Sequence, residues 1–143
     1  MKIKILIIED NQDVRENLSE LLTLSGYETR TAMNGKLGVE TAMTFIPDLI
    51  LCDIMMPEMD GMEFCGKIKS DFLTSHIPVI ILTAKASGES KIEGLETGAD
   101  DYLTKPFNSK ELFVRVKNLL EQRKRLREKF SKELNPKPKT VVT

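Results

Sequence analysis

The sequence predicts a three-layer, doubly wound parallel α/β sheet: five strands alternating with five helices, strand order 2-1-3-4-5, and an extended last helix. Short aliphatic runs alternate with segments of helical periodicity along the chain. The first, third and fourth runs are almost continuously aliphatic, as strands covered on both faces are. The second and fifth are short and polar, which suits sheet edges. Right-handed crossovers then place runs 1, 3 and 4 centrally, with 2 and 5 outside.

Residues 3–8 form the first apolar run. Helix 12–25 follows, with Val14, Leu18, Leu21, Leu22 and Ser25 at helical spacing, Asn11 or Asp13 as N-cap and Gly26 as its stop. Residues 27–31 alternate in polarity. Helix 34–46 carries Gly38, Ala42, Phe45 and Ile46 on one face, and Pro47 ends it. The third strand is 49–53; a helix over about 61–72 carries Met62, Cys65, Ile68 and Phe72. Strand 78–82, helix 87–97 and strand 99–103 come next, and a last helix opens near Ser109.

The 143 residues leave room for one domain with a real core and an appendage. Net charge is −1, but it is unevenly spread: residues 1–120 carry −6 and residues 121–143 carry +5. No apolar stretch approaches the ~20 residues of a membrane span. The N-terminus runs straight into a strand without a charged region and cleavage site, which argues against a signal peptide. Cys52 and Cys65 lack metal or redox spacing, as expected in a reducing cytoplasm. His76 is the sole histidine and a poor candidate for base or ligand.

The strand ends carry the chemistry. The first run delivers Glu9 and Asp10, the third Asp53, the fourth Thr83 and the fifth Lys105. In the predicted order the chain reverses direction between strands 1 and 3, and the crevice at their carboxyl ends is where such sheets bind ligands. Three converging carboxylates repel one another unless a cation joins them. An all-oxygen set favours a hard ion, Mg²⁺ above all, which binds through one or two carboxylates and shares its other positions with water or phosphate. A hydroxyl and an ammonium beside that set make a place for a phosphoryl group, with Asp53 as nucleophile. Taken singly, each residue has an ordinary reading as a cap, a turn or a strand end; their joint placement points to a site.

Four segments resemble the receiver domain of two-component response regulators, over roughly residues 3–122: Ile8-Glu9-Asp10-Asn11, Asp53-Ile54-Met55-Met56-Pro57 with Asp60-Gly61, Leu82-Thr83-Ala84, and the stretch from Gly98 to Phe107. The resemblance implies a flavodoxin-like fold and a phosphoryl group accepted by Asp53 from the phosphohistidine of a sensor histidine kinase. It implies Mg²⁺ held by Asp10, Asp53 and the Met55 backbone carbonyl, with Glu9 assisting. It also implies Lys105 on a phosphoryl oxygen ahead of a cis Lys105–Pro106 bond, and Thr83 with Tyr102 as a switch pair. The readout surface would be the 87–97 helix, the fifth strand and the last helix, where Lys91, Asp100, Asp101, Glu111 and Arg115 resemble a charged dimerisation face. Met55 offers no polar group to orient water, so the phosphorylated state is expected to last minutes or longer.

Leu112, Val116, Leu119, Arg123, Leu126 and Phe130 alternate by four and three. The last helix is therefore expected to reach about Leu134, either as a solvated helix or as a dimerising coiled coil. The expected division is a receiver over 1–122, a basic helical extension over 123–134 and a linker over 135–143, with DNA reached only through an output domain that this chain lacks. The basic run lacks an aromatic platform or helix-turn-helix for direct nucleic-acid binding. Receivers followed by such a helix resemble those of DNA-binding regulators and hybrid sensors. Two rivals are a pseudo-receiver, against which the full set Asp10, Asp53, Thr83 and Lys105 argues, and a Mg²⁺-dependent phosphohydrolase, which lacks a second acid because Met55 stands there. No glycine-rich phosphate loop follows the first strand, which disfavours nucleotide binding.

Overall fold

A computed structural model describes residues 2–84 and 98–134. The predicted 87–97 helix, with Lys91, and the 135–143 linker lie outside these residues. The described elements are β1 (Lys4–Ile8), α1 (Gln12–Leu24), β2 (Glu28–Ala32), α2 (Gly35–Phe45), β3 (Leu49–Asp53), α3 (Gly61–Ser70), β4 (Val79–Thr83), β5 (Asp101–Thr104) and α4 (Ser109–Leu134). The strands form one parallel sheet in the order β2-β1-β3-β4-β5, as predicted.

Alternation along the central strands builds two cores, because successive side chains point to opposite faces. Leu6, Ile8, Ile50, Cys52 and Ile81 meet Ala42 of α2 and Phe64, Cys65 and Ile68 of α3. Ile5, Ile7, Leu49, Leu51, Ile80 and Leu82 meet Leu18 and Leu22 of α1 and Leu112 and Val116 of α4. All residues of β3 and β4 are buried, whereas β2 is mostly exposed or half-buried, as an edge strand is.

Helix starts use short polar caps. Asn11 accepts from Val14 N at 3.1 Å, Asn34 from Leu37 N at 2.8 Å, Asp60 from Glu63 N at 2.9 Å and Asn108 from Glu111 N at 2.7 Å. Such caps contribute about 1 kcal/mol each.

Three expectations are corrected. α3 ends at Ser70, so Phe72 falls beyond it and is 93% exposed; the buried aromatic of that helix is Phe64. Ile46 is not on the buried face of α2: it adopts a left-handed cap at φ 46° and sits at the surface. β5 starts at Asp101 rather than at residue 99, and the Asp100 side chain just before it binds other elements. Its Oδ2 accepts from Val79 N at 2.8 Å and from Lys69 Nζ at 2.9 Å, while Oδ1 lies 3.6 Å from Arg123 of α4. One carboxylate thus ties α3, the start of β4 and the last helix together at the base of the sheet.

Candidate functional site

The carboxyl ends of β1, β3, β4 and β5 meet at one edge of the sheet. Glu9 N–H donates to Ala32 O at 3.1 Å, carrying the β1 chain one residue past the strand. Arg15 of α1 donates to Glu9 O at 2.8 Å and so holds the turn that presents Glu9 and Asp10. Ile54 N–H donates to Leu82 O at 2.9 Å, and Lys105 N–H to Thr83 O at 2.7 Å, fixing the ends of β3 and β5 against β4.

The predicted carboxylates converge. One oxygen each from Glu9, Asp10 and Asp53 lie within 4.8 Å of one another. Glu9 and Asp53 are buried and Asp10 is exposed, so the cluster opens to solvent on the Asp10 side. Thr83 is buried one residue beyond Leu82, the register partner of Asp53. Lys105 precedes a cis peptide bond to Pro106, and its Nζ lies 2.9 Å from Glu9 Oε1 and 3.6 Å from Asp53 Oδ2. Met55 N–H faces Asp53 Oδ1 at 3.4 Å, while its side chain is 73% exposed. Tyr102 stands opposite Ile81 in the sheet and packs, half-buried, on the core beneath α2 and α3.

Burial first, and then the neighbouring Asp53 carboxylate, hold the Glu9 carboxyl up to about 7, against the pull of Lys105. The Lys105 ammonium is raised above its ordinary value, because Glu9 and Asp53 together outweigh its own desolvation. Glu9 Oε2 is buried without a hydrogen-bond partner among the described residues. An orphaned buried oxygen and an all-oxygen donor set fit a divalent cation.

The folded protein keeps a proton on Glu9 that the unfolded chain releases near 4.5. Glu9 therefore contributes stability that is fully present below that pH and is lost as pH rises through about 7. In metal-free protein, the Glu9→Gln variant is expected to show a clearly smaller loss of stability between these values than the parent. Denaturant midpoints measured across this range check it; parallel curves would remove Glu9 as the cause.

Two contributors escaped the sequence reading. Arg15 carries only a helix-face signal in the sequence. Gly61, the first residue of α3, lies so close behind Asp53 that an added Cβ would come within 2.6 Å of Asp53 O. Its place in the Asp60-Gly61 pair was visible; the contact was not.

Residues 5–117 match the pattern of the family described as response regulator receiver domain. The chain belongs to that family. It is 48% identical over 142 residues to histidine kinase P4 of Formosa agariphila, covering 98% of this chain and 10% of that protein. It is 40% identical over 141 residues to the DNA-binding dual master transcriptional regulator RpaA of Synechocystis, covering 97% of this chain and 58% of RpaA. A crystal structure of a putative response regulator from Chloroflexus aurantiacus superposes with a TM-score of 0.81 at 38% identity, covering 85% of this receiver and 99% of that chain. The receiver chain thus spans a tenth of one relative and little over half of another. Receivers are signalling switches of two-component systems, in which response regulators partner with histidine kinases. No helix among the described residues is long and apolar enough to cross a membrane.

Proposed function

We propose that this receiver takes a phosphoryl group onto Asp53 from the phosphohistidine of a sensor kinase and uses it to alter its interaction surface. The observation that carries the reading is the buried Asp53 carboxylate, with Glu9 and Asp10 on one side and the Lys105 ammonium 3.6 Å away. An Asp53 oxygen attacks phosphorus, the new P–O bond forms, and the P–N bond to the donor histidine breaks. The leaving nitrogen keeps the electron pair. The bound metal, Mg²⁺, would be held by Asp10, Asp53 and the Met55 carbonyl with Glu9 nearby, and it supplies charge neutralisation at the phosphoryl oxygens.

Lys105 would exchange its contact with Glu9 for a phosphoryl oxygen, and the Thr83 hydroxyl would close on another. Tyr102 would then turn inward, and the surface formed by the predicted 87–97 helix, β5 and α4 would change. Arg115 on that surface already pairs with Asp101 at 2.9 Å and with Glu111 at 3.5 Å within the chain. Dimerisation there would pass the signal to a transcriptional output domain that binds DNA. The working division is a receiver over 1–122, an extension over 123–134 and a linker over 135–143, acting in the cytoplasm.

The test is incubation with Mg²⁺ and a small acyl-phosphate donor, followed by mass spectrometry. One phosphate is expected per chain, absent when chelator replaces Mg²⁺, and lost over minutes or longer once donor is removed, because Met55 presents no polar group to water. No uptake would favour a pseudo-receiver. Continuous hydrolysis of unrelated phosphomonoesters would favour a hydrolase instead.

A further inference from the structure

α4 changes surroundings half-way along its length. Leu112 and Val116 are fully buried against the sheet, and Leu119 and Leu120 pack on the same cluster. Beyond them the same face continues past the base of the sheet at Leu126 and Phe130, which are 52% and 61% exposed. These two side chains, with Leu120, form one wall of a groove of about 670 Å³; Pro47 and Pro78, at the entries to β3 and β4, form the other. Two large apolar groups one helical turn apart, over a proline-lined wall, are an apolar stripe that the described residues leave uncovered.

Charge indicates what covers it. Arg123 and Arg127 line the groove. Arg123 reaches Asp100 at 3.6 Å, whereas Lys124, Arg125, Arg127, Lys129 and Lys132 form no ion pair among the described residues. The groove's own acid, Asp48, accepts the Lys4 backbone N–H at 2.8 Å and keeps its charge. Arg127 and the cations beside it outnumber that one carboxylate, so the rim is net cationic over an apolar interior. A second copy fits poorly as a coiled coil: Leu112 and Val116 are spent inside the domain, which leaves Arg123, Leu126 and Phe130 of the seam. Such seams need about three to four heptads. Nucleic acid would use the cations and leave the apolar interior empty.

We propose that this groove docks an acidic amphipathic helix of another protein, with apolar side chains between Leu126, Phe130 and the two prolines and carboxylates at Arg123 and Arg127. The surface lies at the base of the sheet, away from Asp53, and does not rest on phosphoryl transfer.

The test uses the full chain and three fluorescent probes: a helical peptide with a leucine stripe flanked by glutamates, its twin with lysines in place of the glutamates, and a DNA duplex. Anisotropy is expected to show the glutamate peptide binding at least about tenfold more tightly than its twin. Phe130→Ser and Arg127→Glu are each expected to weaken that peptide by roughly tenfold while keeping the parent's melting temperature, since both side chains are exposed. The proposal is overturned by equal binding of the two peptides, or by glutamate-peptide binding that Phe130→Ser leaves intact. DNA binding without peptide binding would overturn it too, as would a dimer in sedimentation that Phe130→Ser dissociates.

Discussion

Asp53→Asn is expected to take up no phosphoryl group from an acyl-phosphate donor, and to melt no earlier than the parent. The two outcomes come from one arrangement. Asparagine keeps the shape of the side chain but has no anionic oxygen to attack phosphorus. Removing that anion also relieves its repulsion with Glu9 and Asp10 in the same small cluster, which offsets the loss of its 3.6 Å ion pair with Lys105. Glu9 is held up first by burial, then by its interaction with the Asp53 carboxylate. In the variant Lys105 is left to Glu9, and the Glu9 carboxyl should titrate below its parental value of about 7, with burial still holding it up. Mass spectrometry checks the first outcome, and NMR titration of the Glu9 carboxyl checks the second. Phosphate uptake by Asp53→Asn would move the acceptor elsewhere, and an unmoved Glu9 would show that burial alone sets its proton.

Gly61→Ala is expected to be the most damaging of the small substitutions near the site. The new Cβ would lie 2.6 Å from Asp53 O and 2.8 Å from Ile54 Cα. Both are backbone atoms at the end of a buried strand, so no side chain can rotate away. The loop after β3 must shift, at a cost of about 3 kcal/mol. A fall in melting temperature of roughly 10 °C is expected, together with slower phosphoryl uptake as Asp53 moves off its partners. Gly66→Ala is the matched control on the same helix. Nothing lies within 4 Å of its Cβ position, and the change should stabilise by about 0.5–1 kcal/mol. Thermal melts that rank the two variants the other way would refute the steric account.

Strand order was legible because burial on two faces writes itself as uninterrupted aliphatic runs, and the runs around Ile7, Leu51 and Ile81 are of that kind. The converging carboxylates were legible because a charged residue closing such a run has few structural uses. Helix phase was less so. Spacing alone linked Met62, Cys65, Ile68 and Phe72, but the face that packs contains Phe64, Cys65 and Ile68, and the helix stops before Phe72. The pairing of Lys105 with Glu9 joins positions 96 residues apart, so no local pattern announces it. Asp100 looked like a surface acid of a dimerisation face and proved to be bound to Val79 N–H and Lys69.

That bond network has a mechanical consequence. α4 is 26 residues long, and its portion beyond Arg123, residues 124–134, is roughly 16 Å of rod at the usual rise. Asp100 grips the rod near the point where it leaves the sheet, so the rod behaves as a lever with its fulcrum there. A tilt of about ten degrees at the fulcrum carries the far end by roughly 3 Å, from the same helical rise. Movements too small to disturb either core can therefore arrive at the tip as a displacement the size of a side chain.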